Sequence, residues 1–255
     1  MKTLFKKLPL IGPLARTGIH ILRDSLRKAR GTKPVYQFVR QDPTDGQHPD
    51  SIRVMNILNY TKTSESAYNG GRFTAGYHSL HLGELELKGQ REPMERIKLV
   101  PVDFTGLTVL DIGCNQGGML YPLSSKIAHG IGIDFDSRLI NAANRIKAYA
   151  RISNLDFYVF NLEKEDLNLI KDFLPEERVD VVFLLAVCMW IDNWKEVIRF
   201  AKSVSKNMLF ETNGKLEQQR EQVTYLESLY SSVQLLSEQS TEDQLQRNRR
   251  LYLCS

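Results

Sequence analysis

The residues Val109-Leu110-Asp111-Ile112-Gly113-Cys114-Asn115-Gln116-Gly117-Gly118 constrain this chain more than any other stretch. An apolar run holding one acid passes directly into a loop with three glycines. Glycine reaches backbone angles closed to other residues and lets the main chain lie close against a neighbour or a ligand. The pattern predicts a buried strand over 108–112, a tight loop, and a helix over 119–128 whose free N–H groups face one crevice.

The same order repeats downstream. Strand patterns fall at 131–134, 156–160, 179–187 and 207–211, with helical patterns at 137–151, 162–173 and 193–204. Strands alternating with helices build right-handed βαβ units around a parallel sheet covered on both faces. The apolar run 181–187 suits a central strand. A helical pattern over 217–230 follows, then strand patterns at 232–236 and 250–254, expected to close as an antiparallel hairpin at the sheet edge.

Ahead of this unit the chain reads as two further parts. Residues 31–98 hold a polar stretch punctuated by proline and glycine, a short helix around 52–60, and the alternating segments 77–82 and 85–88 about Gly83-Glu84. The last is a hairpin signal, and Pro93 opens a short helix with Met94 and Ile97 on one face. This extension is predicted to lie as a lid over the glycine loop.

Residues 1–30 carry eight Lys/Arg and one acid, while the rest has 26 basic and 29 acidic side chains. A helix over 14–30 would set Leu14, Ile21, Leu22 and Leu26 on one stripe and Arg16, Arg23, Arg27 and Arg30 on another. That composition predicts a peripheral anchor on an anionic membrane surface, against a disordered tail or a helix packed on the domain. The mildly acidic body gives no strong nucleic-acid signal. Three widely spaced cysteines form no disulfide framework, so a cytoplasmic setting is expected, on the inner membrane face if the anchor holds. The histidines show no metal-ligand set.

Ligands of open α/β sheets bind beyond the carboxyl ends of the strands, where the strand order reverses. Those ends carry Asp111 with the glycine loop, Asp134, Asn161 with Leu162, and the stretch from Ala186 to Trp190. Asp134 follows Asp111 by 23 residues, a spacing at which a carboxylate can accept from both hydroxyls of a ribose. Asn115 stands where a dinucleotide loop would need glycine, which turns the reading away from a nicotinamide cofactor.

With these motifs, residues 99–255 resemble the class I S-adenosylmethionine-dependent methyltransferases. The resemblance rests on the loop 109–118, on Gly132-Ile133-Asp134-Phe135-Asp136, on Asn161-Leu162, on 179–191 and on the final hairpin. It implies a Rossmann-like seven-stranded sheet, mostly parallel, with an N-terminal helical and hairpin extension. It also implies S-adenosylmethionine as cofactor. Gly113, Cys114, Asn115 and Gly117 would border its methionine part, with Asp111 near the amino group. Asp134 and Phe135 would face the ribose side, Asn161 and Leu162 the adenine edge, and the Ala186 backbone the sulfonium.

The expected acceptor is a small molecule or a glycan, including a lipid-linked one. Met189-Trp190 occupies the place where many relatives carry a His pair, so no base comes from that site; Trp190 is expected to wall the acceptor pocket or to lie in the core. Tyr77, His78, His81, Gln90 and Arg91 form the densest polar and aromatic cluster. A weaker similarity to glycan and phosphosugar-terminus methyltransferases singles out Tyr77 and Gln90-Arg91. By it Arg91 would hold the cofactor carboxylate or an anionic acceptor, against a surface ion pair with Glu95. His78 is a candidate general base. Two other functions stay open: a tRNA or other nucleic-acid methyltransferase, and a non-catalytic cofactor-binding subunit.

Overall fold

The computed structural model describes residues 49–61, 73, 75–243 and 246–255. The predicted basic segment over 1–30 and most of 31–75 lie outside them. Chain order runs α1 (Pro49–Thr61), β1 (Gly76–His78), β2 (Leu80–Leu82), β3 (Leu85–Leu87), β4 (Gly89–Arg91) and α2 (Pro93–Ile97). The alternating unit follows: β5 (Thr108–Ile112), β6 (His129–Asp134), α3 (Ser137–Tyr149), β7 (Leu155–Val159), β8 (Val181–Leu185), α4 (Trp194–Val204) and β9 (Asn207–Glu211). It closes with α5 (Leu216–Leu229), β10 (Val233–Ser237) and β11 (Leu251–Cys254).

One seven-stranded sheet, ordered β10-β11-β9-β8-β5-β6-β7, carries the fold. The five central strands are parallel, while β11 runs antiparallel to β9 and β10 antiparallel to β11. The order reverses at β5, which sits between β6 and β8. This is the α/β, Rossmann-like sheet with the antiparallel terminal hairpin that the alternation implies. The segment between β10 and β11 spans 238–250; among its described residues Asp243 bridges Arg91 of β4 and Ser240 bonds Glu211 of β9.

Side-chain alternation sends each strand into two cores. Val109, Phe183 and Leu209 point to one face, where Leu80 and Leu87 of the extension and Val54 and Leu58 of α1 join them. Leu110, Ile112, Val182, Leu184, Met208 and Phe210 point to the other, beneath Val197, Ile198 and Leu226. By the same alternation Asp111 and Glu211 fall on the extension's side of the sheet.

Three local expectations fail. No α-helix spans 119–128: the segment is a run of turns around the 3₁₀ stretch Tyr121–Leu123. Bonds such as Leu120 N to Gly117 O and Ser124 N to Tyr121 O, at 3.0 and 3.1 Å, close three-residue steps, and Pro122 lacks the N–H that a continued helix needs. The helix over 162–173 shrinks to a 3₁₀ stretch, Leu167–Phe173, capped by Asp166. The hairpin reading over 77–88 is half right. Strands β2 and β3 pair antiparallel about Gly83-Glu84, but β1 breaks away at Ser79 and pairs parallel with β4.

Candidate active site

The glycine loop leaves β5 and bends toward β6, because the N–H groups of Gly113 and Cys114 both donate to Ile133 O at 2.8 and 3.0 Å. Gly113 and Gly117 have φ of 78°. A Cβ at Gly113 would stand 2.6 Å from Val187 Cγ2, and one at Gly117 2.6 Å from the Phe157 ring. Both positions therefore demand glycine twice over, by conformation and by space. Asn115 takes a left-handed φ of 54° without being glycine. Its side-chain oxygen accepts from Gln116 N at 2.9 Å, local turn chemistry that favours Asn at such an angle.

Asp134, at the end of β6, locks this loop. Its Oδ2 accepts from Asn115 N and its Oδ1 from Asp136 N, each at 3.0 Å. Asp136, rather than Asp134, caps α3 by accepting from Arg138 N at 2.8 Å. Asp111 is buried beneath the loop, and its Oδ2 has no hydrogen-bond partner. Burial and the nearby charge of Asp134 push its carboxyl up to about 8. Burial also raises the Cys114 thiol, so this side chain packs as a thiol against Gly132 rather than serving as a nucleophile.

At the other strand ends, Phe135 is 71% exposed beside Asp134. Asn161 Oδ1 accepts from Glu163 N at 3.0 Å, and Leu162 O accepts from Asn193 Nδ2. Ala186 holds a left-handed φ of 59°. Its N–H donates to Glu211 O at 3.1 Å, and its carbonyl accepts from Asn213 Nδ2. Asn213 Oδ1 accepts from Met189 N at 3.0 Å, so one amide shapes the whole turn after β8. Trp190 is 69% exposed, which excludes the core alternative for its ring.

The extension lies against this crevice. The His78 side chain sits over Gly118, and Gln116 Nε2 donates to Thr61 Oγ1 at the end of α1. His78 is buried, its Nδ1 has no partner, and burial followed by the charge of Arg91 lowers its pKa to about 3. A neutral imidazole whose conjugate acid is that strong is a poor proton acceptor. His81 instead meets Glu92 through Nε2 at 2.8 Å, on the hairpin.

Arg91 makes no surface pair with Glu95, which bonds Lys98 instead. Its guanidinium is buried and grips Glu211 with both terminal nitrogens, at 3.0 and 2.7 Å. Arg96 donates to the same Glu211 at 2.5 Å and, through Nε, to Glu242 at 3.1 Å. Ser240 Oγ donates to Glu211 Oε1 at 2.6 Å, and Gln90 Nε2 to Asp243 Oδ1 at 3.0 Å. Tyr77 Oη accepts from Arg91 Nη1 and Arg249 Nη1, both at 3.1 Å. A buried charge cluster thus ties the extension to the ends of β9 and of the 238–250 segment.

Sequence reasoning overlooked Glu211, Arg96, Glu242, Asp243, Arg249 and Asn213. Glu211 had a readable signal, since it is an acid ending an apolar strand as Asp111 nearly is. Arg96 lies on the short helix opened by Pro93 with nothing local to mark its role, the others sit in segments without periodicity, and only the fold brings them together.

The arrangement suits a ligand that brings a hydrogen-bond donor or a cation to Asp111, on an observation independent of any relative. A glycine cradle has no room for a Cβ, and a buried carboxyl oxygen beneath it lacks a partner. A family model described as a methyltransferase domain matches residues 86–248, well over half of the chain. Among solved structures, the bifunctional kinase-methyltransferase WbdD superposes with a TM-score of 0.52 at 22% identity, covering 66% of this chain and 40% of that one. The N-terminal domain of EvdMO1, solved with SAH bound, gives a TM-score of 0.51 at 12% identity over 64% of this chain and 80% of that one. The chain therefore spans about two fifths of WbdD, and likenesses this remote bear on fold alone. A search of curated proteins finds no match. The glycine cradle, the reversed strand order and the matched span agree: the chain belongs to the methyltransferase-domain family, the class I S-adenosylmethionine-dependent methyltransferases.

Proposed function

We propose that this chain methylates a small-molecule or glycan acceptor. The observation that carries the reading is the glycine loop pinned to Asp134 above the unpartnered carboxyl of Asp111. S-adenosylmethionine, when bound, supplies a methyl on a sulfonium that is open to in-line displacement by a nucleophilic atom.

The chain's own residues then have distinct tasks. Gly113, Asn115 and Gly117 give backbone access to the methionine part, and Cys114 packs behind them. Asp111 would face an ammonium, which would give its buried, unpartnered Oδ2 a donor. Asp134 offers its outer lone pairs to ribose hydroxyls, Phe135 and Leu162 apolar surface to a base, and Asn161 a polar edge. Ala186, held by Glu211 and Asn213, fixes the turn at the methyl end. Trp190 walls the acceptor side. His78 we assign to packing rather than to proton transfer, and Arg91 to holding Tyr77 and Glu211 in place. Aligning the acceptor within about 3–3.5 Å of the methyl and excluding water is then the main contribution.

Among the described residues no helix is long and apolar enough to cross a membrane. The basic segment over 1–30 is proposed to hold the protein at an anionic, cytoplasmic membrane face. Calorimetry tests the core of the reading: the wild-type chain binds S-adenosylmethionine and its demethylated product, and absence of binding to both would overturn it. Radiolabelled methyl transfer into fractionated extract then assigns the acceptor, with label in RNA pointing to the nucleic-acid alternative.

A further inference from the structure

We infer that His78 Nδ1 and the N–H groups of Gly118 and Met119 receive the cofactor's carboxylate, while Asp111 takes its ammonium. The inference rests on the methyltransferase reading above and fills a role that Arg91 does not take. The Arg91 guanidinium is turned to Glu211, Glu242 and Tyr77.

The glycine loop bonds nearly all of its own N–H groups. Gly113 N and Cys114 N donate to Ile133 O, Asn115 N to Asp134 Oδ2, Gln116 N to Asn115 Oδ1 and Gly117 N to Cys114 O. Leu120 N and Tyr121 N both donate to Gly117 O. Between them, Gly118 N and Met119 N have no acceptor among the described residues, although both residues are buried. Buried N–H groups nearly always find a partner, so two orphans in one turn call for an acceptor that the chain itself does not supply.

His78 gives a second, independent observation. Its side chain is buried, its Nδ1 has no partner among the described residues, and a Cβ at Gly118 would stand 2.5 Å from that nitrogen. Burial keeps the ring neutral, and a neutral imidazole carries one N–H. With that proton on Nδ1, three unanswered donors belong to one turn. A carboxylate has two oxygens with about four lone-pair sites, enough for all three.

The opposite need lies beneath the same loop, where Asp111 Oδ2 is buried without a donor. A ligand that answers both must carry an acceptor and a cationic donor close together, as the α-amino-acid end of S-adenosylmethionine does. A purely anionic ligand leaves Asp111 unanswered. A plain amine leaves His78, Gly118 and Met119 unanswered.

The test is calorimetric, on the full chain at neutral pH. S-adenosylmethionine is compared with its decarboxylated form, which keeps the ammonium, sulfonium and adenosine and lacks only the carboxylate. Wild type is expected to prefer the complete cofactor by at least about tenfold. His78→Phe, which keeps a buried ring without an N–H, should lose about tenfold in affinity for S-adenosylmethionine and nothing for the decarboxylated form. His78→Asn, whose amide N–H stands in for Nδ1, should keep most of the preference. His81→Asn, altered on the hairpin where His81 meets Glu92, should match wild type. Should melting show that His78→Phe fails to fold, nitrogen NMR of histidine-labelled wild type decides. The His78 Nδ1–H signal, identified by its loss in His78→Asn, should move with S-adenosylmethionine and not with the decarboxylated form. Equal affinity of wild type for the two forms overturns the proposal, as does a His78→Phe protein that keeps the preference or an Nδ1 signal that responds alike to both. A His78→Phe protein that weakens equally toward both forms also overturns it, and leaves His78 a packing role alone. Wild type that binds neither form would instead overturn the methyltransferase assignment on which this one stands.

Discussion

The His78 side chain lies so close over Gly118 that a Cβ added to the glycine would stand 2.3 Å from His78 Cβ. This contact couples the extension to the glycine loop. Gly118→Ala forces the two apart, an overpacking cost of about 2 kcal/mol, equivalent to a melting point lowered by ~6 °C. In a His78→Gly background, which removes that Cβ and the ring together, the same change should cost less than half as much. Equal losses in both backgrounds would show that the contact is not the cause.

Asp111 sets a pH dependence whose sign follows from its surroundings. Its folded pKa is about 8, against ~3.9 for an unfolded aspartate. Between these values the folded protein holds a proton that the unfolded chain has released. Its contribution to stability is therefore greatest below about pH 4 and is lost progressively as the pH rises toward 8. Asp111→Asn should flatten the melting point across that window. An ammonium placed against Asp111 should expel the proton. Calorimetry of S-adenosylmethionine near neutral pH, in buffers of different ionisation enthalpy, should then read close to one proton released by wild type and none by Asp111→Asn.

Asp134 accepts two backbone N–H groups from opposite sides of the crevice. Asp134→Ala removes both acceptors together with the proposed ribose contact. At about 1.5–3 kcal/mol for a charged hydrogen bond, cofactor affinity should fall roughly 10- to 100-fold. Unchanged calorimetric affinity would contradict the ribose role.

Glu211 and Glu242 are each shared by two arginines. Removing one cation leaves buried negative charge poorly compensated, a loss of about 3–5 kcal/mol. Arg96→Met should therefore lower the melting point by about 10 °C. Because the cluster is buried, added salt should rescue little of that loss, whereas a surface network would be screened.

The central sheet was legible because burial on both faces leaves apolar runs, as in Val181-Val182-Phe183-Leu184-Leu185. The segment 167–173 misled for a physical reason. Leu167, Ile170 and Phe173 recur every three residues, the period of a 3₁₀ helix, which a short window does not separate from 3.6. Strand β4 was missed because Gly89-Gln90-Arg91 has no apolar alternation, and its burial comes from ion pairing with Glu211. Arg91 itself was legible as a site residue, but its carboxylate partners lie at least 120 residues away in sequence. No local pattern announces such a pairing.

Trp190 and Trp194 are the only tryptophans in the sequence. Trp194 packs edge-on against Tyr225, with Lys195 over its ring, while Trp190 stands in water beside the turn after β8. The protein thus contains an intrinsic optical reporter at the mouth of its crevice and a steady reference nearby. Any molecule that covers the exposed indole should draw its emission toward the blue. Occupancy of the proposed acceptor side can then be followed in real time, without a label and before the acceptor has a name.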